Sequence, residues 1–372
     1  MTIPNNSNRI RRKEALTLFR EADLLGLGMW ADIIKNDLHP DGICTFVVDR
    51  NINYTNVCIN KCTFCAFWRN EDDADAYLLD TGTIFRKIEE TIELGGTQIL
   101  IQGGLHPALD IFYYTNLLSS IKERFDITIH GFSPPEICFI ADASDLTIRE
   151  TLGMLKSAGL DSIPGGGAEI LSDRVREVLS PKKIKSSRWL EVMEAAHGLG
   201  MKTTATMMFG SVETPEDIIT HLDLIRQLQD RTGGFTAFIP WSFQPGNTEL
   251  GNSGSGLKMS RMTKKTKPQS PTSNPSYAAT AVEYLRVLAL SRIYLDNVEN
   301  IQASWVTQGL KLAQVALRFG ANDFGSTMIE ENVVASTGLS SAVTMNDIIS
   351  AIRSAGFIPT QRDTYYNLLR FY

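Results

Sequence analysis

Histidine and cysteine are both scarce in this chain, five of each among 372 residues. No stretch approaches the run of about 20 apolar residues that a membrane helix needs. Basic charge is short as well: 36 Lys and Arg against 42 Asp and Glu leave a net charge of −6. That balance argues against a nucleic-acid or acidic-membrane surface. The basic residues near the start, in MTIPNNSNRIRRKEALTLFREADLLGLGMW, are not followed directly by an apolar run of signal-peptide type. A cytoplasmic setting is the expectation, and there thiols stay reduced. With 43% hydrophobic residues the chain has enough apolar surface for one large core or two smaller ones.

What cysteine there is lies concentrated. Cys58, Cys62 and Cys65 fall within eight residues of NYTNVCINKCTFCAFWR (Asn53 to Arg69), spaced C-x3-C-x2-C, with Cys44 and Cys138 elsewhere. Such a triplet in a reducing compartment points to metal or redox chemistry rather than a disulfide framework. A structural zinc site usually wants four Cys or His ligands, and neither a second cysteine pair nor a histidine lies in the segment. A ferredoxin-like carrier would need a fourth thiolate, from Cys44 or Cys138, neither of which has a ligand-like neighbourhood. The third reading takes the shortage as the purpose: three thiolates on a four-iron cluster leave one iron open to a ligand. Cys44 and Cys138 then read as small buried hydrophobes.

Along the chain, short β-branched runs alternate with helical patterns. Candidate strands are CTFVVD (44–49), TQILI (97–101), ITIH (127–130), LDSI (160–163), KTTATMM (202–208), FTAFIP (235–240), IQASW (301–305) and ANDF (321–324). Eight strands separated by helices describe an α/β protein with a parallel sheet, and eight is the number that closes a (β/α)8 TIM-type barrel. An open doubly wound sheet and a partly open barrel are the alternatives. Directly after the strands come QGGLHP, GFSPPE, PGGGAE, FGSVE, WSFQP, VTQG and GST. In a barrel those polar, Gly- and Pro-rich loops meet on one face, where active sites sit. The reading gives an N-terminal helical segment over 1–40, a barrel over 41–340 and a C-terminal helical extension over 341–372. Residues 246–280, rich in Gly, Ser, Pro and Lys, read as an insertion on the upper rim, either decoration or a lid.

The cysteine spacing, with Phe64 before the third thiol, resembles the radical S-adenosylmethionine (SAM) superfamily. The resemblance implies a [4Fe-4S] cluster on Cys58, Cys62 and Cys65, whose open iron chelates SAM. A one-electron donor such as flavodoxin or ferredoxin is then needed to cleave SAM to methionine and a 5′-deoxyadenosyl radical. It places Phe64 near the adenine and assigns Gln102, Gly103 and Gly104 to the glycine-rich stretch that holds the methionine amino group. Gly210 and Glu213, in MMFGSVE, resemble the fifth-strand motif that contacts adenine and ribose, although Thr206 stands where that motif usually begins with glycine. Over nearly the whole chain, segments such as GGTQILIQGGLHP, HGFSPPEI, TTATMMFG, FIPWSFQPGNT and ASWVTQG are similar to the family of cyclic dehypoxanthinylfutalosine synthases of menaquinone biosynthesis. Aminofutalosine synthases and the radical enzymes of deazaflavin biosynthesis are its nearest relatives.

That resemblance implies dehypoxanthine futalosine as substrate. The radical would remove the ribose C4′ hydrogen, and the carbon radical would close onto the benzoate ring. Loss of one electron and one proton then restores aromaticity, so a proton acceptor is needed within hydrogen-bond reach. Glu169 and His106, both on strand-end loops, are the candidates, with Asp323 a third. Their alternative readings are a carboxylate at a helix start for Glu169, an imidazole fixing the turn before Pro107 for His106, and a structural residue for Asp323. Ser304, Thr307, Gln308, Ser326 and Thr327 offer polar contacts for the substrate. Trp241 and Trp305 would face its ring or serve as core.

Overall fold

The computed structural model describes residues 9–252, 278–339 and 343–372. Eleven strands are present among them: β1 (Ile43–Val47), β2 (Asp49–Ile52), β3 (Gln98–Ile101), β4 (Thr128–Gly131), β5 (Ser162–Ile163), β6 (Lys202–Phe209), β7 (Phe235–Ser242), β8 (Asn300–Ile301), β9 (Asp323–Ser326), β10 (Ile358–Arg362) and β11 (Leu368–Phe371). Strands β2 to β8 form one parallel sheet in sequential order, with Asp49 opposite Gln98 and Gln98 opposite Thr128.

The ring closes through β9. Val47 pairs with Ser326, Ile329 donates its N–H to the Asp49 carbonyl at 3.1 Å, and on the other side Gln302 bridges to Asp323. Eight parallel runs therefore surround one interior, counting β1 and β2, which follow each other across Val48, as one run. This is the expected barrel. Successive residues of a strand face opposite ways, and β6 and β7 obey that rule. Ala205 and Met207 are buried against the helices, while half-buried Thr204 and Thr206 point inward; Ile239 and Trp241 do the same on β7.

The outer helices are set by local signals. Asp80 caps Thr81–Glu93 by accepting from the Thr83 N–H at 2.9 Å, and Ile84, Ile88 and Thr91 form its buried face. Each isoleucine so buried contributes about 1.5–3 kcal/mol relative to exposure. Thr214 and Asp217 make a reciprocal capping box for Pro215–Thr232, and Gly233 ends that helix in the left-handed region at φ 60°. The N-terminal helices Arg12–Glu21 and Leu24–Leu38 pack on Ala281–Tyr294, so the lead-in is part of the barrel's outer layer.

Two expectations are adjusted. The strand read over 301–305 ends at Ile301, because Trp305 opens the helix Trp305–Ala316. The C-terminal extension is helical over Met345–Ser354, but its remainder is a β-hairpin. β10 runs parallel to β1 on the side away from β9, and β11 returns antiparallel to β10. The end of β10 and the connecting turn reach the first residues of the barrel strands: Arg362 touches Asp323, and Thr364 bonds Gln98. The hairpin is thus the floor of the barrel. Most of the insertion read over 246–280 lies outside the described residues; Glu249–Asn252 is a short helix.

Candidate functional site

The chain leaves β2 at Ile52 and returns toward the barrel at Leu78, which bridges to Thr55; a second bridge joins Val57 to Arg69. The three cysteines ride on the loop so closed. Its backbone is fixed by Cys58 N–H to the Arg69 carbonyl (3.1 Å), Ile59 N–H to Leu105 (3.1 Å) and Thr63 N–H to Leu179 (2.9 Å). Arg69 also donates to the carbonyls of Ala66, Phe67 and Trp68 at 3.1, 3.3 and 2.9 Å. All five thiols are free, and Cys44 and Cys138 lie buried in β1 and in the helix Pro134–Ala143. Burial pushes the Cys62 thiol up to about 12, and raises Cys65 too. Such thiols ionise when a cation is at hand.

Among the described residues no three Cys, His, Asp or Glu side chains stand preassembled at metal-site distances. The donor set nevertheless fits a thiophilic cluster in kind: three free thiols on one tethered loop at a strand end. A second observation concerns the space beside it. A Cβ on Gly104 would lie 2.1 Å from the Val57 carbonyl oxygen and 2.9 Å from Cys58 Cβ, so only glycine lets the two loops meet.

Gln102, Gly103 and Gly104 are therefore placed against the cysteine loop, at the end of β3. The Gly103 N–H donates to Glu136 at 2.9 Å, and a Cβ there would strike the Tyr54 ring at 2.6 Å. Glu136 also accepts from Tyr54 Oη (3.0 Å), Ser133 N–H (2.7 Å) and Ser133 Oγ (2.6 Å). Burial raises this carboxyl while its donors oppose the rise. Its structural signal was readable: Ser133 and Glu136 have capping-box spacing.

Glu169 is buried and sits at φ 40°, in the left-handed region that costs a non-glycine residue energy. Its carboxylate meets Lys183 Nζ at 3.0 Å and Arg176 Nη1 at 3.5 Å, two cations that sequence reading missed. Lys183 Nζ also stands 5.1 Å from the centre of the Phe64 ring, which ties Phe64 to the same cluster. Across the barrel, Gly210 adopts φ 89°, and Glu213 folds back to accept from the N–H groups of Gly210 and Ser211, the latter at 3.0 Å. A Cβ on Gly210 would meet Ala279 at 2.8 Å.

Inside the barrel is a cavity of about 310 Å³. Gln102, Glu169, Thr206, Trp241, Ser304, Trp305, Thr307 and Ser326 line it, as do Asp49, Gln98, His130, Gln302, Glu331, Arg362 and Tyr366, which sequence reading did not single out. Gln308 and Thr327 do not line it: Gln308 bonds Ser242, and Thr327 is buried beside Asp49. His106 and Asp323 are also outside the lining. His106 Nδ1 accepts the Ala108 N–H at 3.2 Å, fixing its own turn. Asp323 is sealed by Thr45 Oγ1 (2.6 Å), Gly325 N–H (2.6 Å) and Arg362 (2.5 and 3.2 Å).

Residues 52–225 match the radical SAM superfamily, and residues 232–371 match the CofH/MqnC C-terminal region. A cyclic dehypoxanthine futalosine synthase of Halalkalibacterium halodurans is 44% identical over 98% of this chain and 93% of its own. The enzyme so named in Streptomyces coelicolor is 43% identical, over 97% of this chain and 86% of its own. This chain belongs to the radical SAM superfamily. It is a radical SAM enzyme of the group that carries the CofH/MqnC C-terminal region, a region that includes the hairpin floor. The 5-amino-6-(D-ribitylamino)uracil–L-tyrosine 4-hydroxyphenyl transferase of Methanocaldococcus jannaschii is 42% identical over 97% of both chains. Among solved structures, methylornithine synthase superposes with a TM-score of 0.68 at 16% identity over 95% of each chain. The [FeFe]-hydrogenase maturase HydG superposes at 0.70 and 16%, over 96% of this chain and 74% of its own; these two share the fold. The superfamily implies a four-iron cluster and SAM. Among the described residues no helix is long and apolar enough to cross a membrane.

Proposed function

We propose that this enzyme cyclises dehypoxanthine futalosine to its cyclic product in the futalosine route to menaquinone. The observation that carries the reading is the near-full-length similarity, at 43–44% identity, to two proteins bearing that name. In this reading Cys58, Cys62 and Cys65 hold the cluster. Phe64, Gln102, Gly103, Gly104, Gly210 and Glu213 surround SAM. When bound, cluster and SAM would supply the one-electron chemistry that removes a hydrogen from C4′ of the ribose.

The protein's own part is confinement. No group is transferred, so one ligand must be held folded with its ribose carbon against its own arene. A cavity walled by Ile239, Trp241, Trp305 and Phe324, with Thr204, Thr206, Ser304 and Thr307 interspersed, suits an aromatic acid joined to a sugar. Restricting rotation and excluding water raise the fraction of near-attack geometries. The partners implied are this small molecule and a one-electron donor of flavodoxin or ferredoxin type.

The similarity to the archaeal tyrosine 4-hydroxyphenyl transferase, at 42% identity, supports a second reading, in which tyrosine and a ribitylaminouracil share the cavity. Reconstituted protein with reductant and SAM separates the two. Dehypoxanthine futalosine should yield a product lacking two hydrogens, with one 5′-deoxyadenosine per turnover. Product only from tyrosine and 5-amino-6-(D-ribitylamino)uracil would move the assignment to the transferase. Turnover only of an enolpyruvyl-benzoate ether would move it to aminofutalosine synthase.

A further inference from the structure

Ring closure of this kind leaves a proton to be removed, and the titratable groups lining the cavity are Asp49, His130, Glu169, Glu331, Arg362 and Tyr366. Most are spent. Glu169 is paired with Lys183 and Arg176, and the Glu331 carboxylate accepts the N–H groups of Val333, Val334 and Ala335 at 2.8–3.0 Å. Arg362 is bound to Asp323 and lies 3.9 Å from the centre of the Tyr366 ring. His130 Nδ1 is bonded to Ser162 Oγ at 2.6 Å, and burial beside Arg362 lowers its pKa to about 3, leaving a weak base.

Asp49 differs. It is 2% exposed, sits on the cavity wall and has no ion pair among the described residues. One carboxylate oxygen accepts from Ser326 Oγ, the other from Gln98 Nε2 at 2.5 Å, which leaves each oxygen a further lone pair. Both donors are held in direction. Ser326 Oγ accepts the Met328 N–H at 2.7 Å, so its proton is free to point at Asp49, and Gln98 Oε1 is held by Thr364 of the hairpin turn.

We propose that Asp49 is the proton acceptor of the ring-closing reaction, a role that rests on the cyclase reading above. The carbon radical forms its bond to the arene; the C–H bond at the attacked carbon then breaks. The proton passes to the Asp49 carboxylate, and the remaining electron to a one-electron acceptor of the iron–sulfur class. Burial holds the Asp49 carboxyl above its ordinary range, against the pull of Ser326, Gln98 and Arg362. The charges facing it from neighbouring elements are Arg362 from β10 and, behind it, Asp323 from β9.

The test uses reconstituted full-length enzyme. Asp49→Asn should form 5′-deoxyadenosine within about 3-fold of wild type while cyclised product falls by roughly 10²-fold or more, the usual reach of a general base. Asp49→Glu should restore part of the product. Ser326→Ala removes a donor to the carboxylate, so the acid limb of the product-formation profile should move to higher pH. Normal product from Asp49→Asn, or equal loss of deoxyadenosine and product in a folded variant, would overturn the role. An infrared titration of wild type minus Asp49→Asn, without substrate, keeps the matter independent of the cyclase reading. A carboxylate band from Asp49 at the pH of turnover, replaced by an acid carbonyl band on acidification, supports the role; an acid carbonyl band still present at the pH of turnover overturns it. If wild type makes no cyclic product at all, the cyclase reading fails, and the infrared band still decides whether Asp49 is ionised and able to accept a proton.

Discussion

At the scale of single residues, Gly104 shows how a short motif encodes a contact between two loops. Replacing it with alanine would drive a methyl into the Val57 carbonyl at 2.1 Å, and backbone rather than a flexible side chain would have to move. Gly104→Ala should therefore fold yet lose most of its reconstituted iron and sulfide; full cluster loading would show that the two loops can separate freely. Glu169 was legible as a polar residue after a strand, but not as the anion between Lys183 and Arg176, because those cations arrive from a later loop and helix. Removing its charge leaves buried Arg176 and half-buried Lys183 without their anion. Glu169→Gln should cost about 3–5 kcal/mol of stability, read by urea denaturation. A cost within about 0.5 kcal/mol would mean that the cluster of charges is wetter than its geometry implies.

At the scale of elements, what could be read from the sequence followed local periodicity. Strands such as TQILI and helices with capping boxes announce themselves, and so do loops whose glycines and cysteines keep fixed spacing. The C-terminal hairpin did not, for a physical reason. In β10 the buried residues include Thr360, Gln361 and Arg362, while β11, LLRF, is exposed throughout, so neither strand shows apolar alternation. Gln361 and Arg362 can be buried because they bond the Gly95 carbonyl and Asp323, partners only the folded topology supplies. Arg362→Met tests this. It strands Asp323, which is fully buried, and should cost about 3–5 kcal/mol. Arg362→Met combined with Asp323→Leu should recover much of that loss in thermal denaturation. No recovery would mean that the floor depends on the pair itself rather than on avoiding a lone charge.

At the scale of the whole molecule, the alternation of strands and helices was enough to read the barrel, and the loops after the strands were enough to read where the cysteines and the Gln102–Gly104 stretch come together. The polar lining deep inside was not. Asp49, Gln98 and Gln302 fall in or beside strands, where a lone polar residue gives no local sign of facing a cavity. Burial at this scale also sets a pH response. Burial lowers His221 to about 3 and His197 to about 4, from an ordinary 6.5, so the unfolded chain binds more protons between those values. Their contribution to stability is whole above pH 6.5 and is lost as the pH falls, by about 1.4 kcal/mol per unit for each histidine below roughly pH 6. The raised carboxyls of Asp49, Glu136 and Glu331 work in the opposite direction. A His221→Phe variant should accordingly lose less stability than wild type between pH 7 and pH 5 in matched urea titrations. Parallel curves would show that this histidine is not held neutral by the fold.

The succession of β1 and β2, separated only by Val48, has one more consequence. β1 is stitched to the hairpin floor and to β9, β2 to β3, and the cysteine loop hangs from the end of β2. The short run from Asp49 to Cys58 therefore works as a ruler between the depths of the chamber and its rim. Adding or deleting a residue there would turn Asp49 out of the interior and change the reach of the thiols in one stroke, so neither end of the chamber can be retuned without disturbing the other.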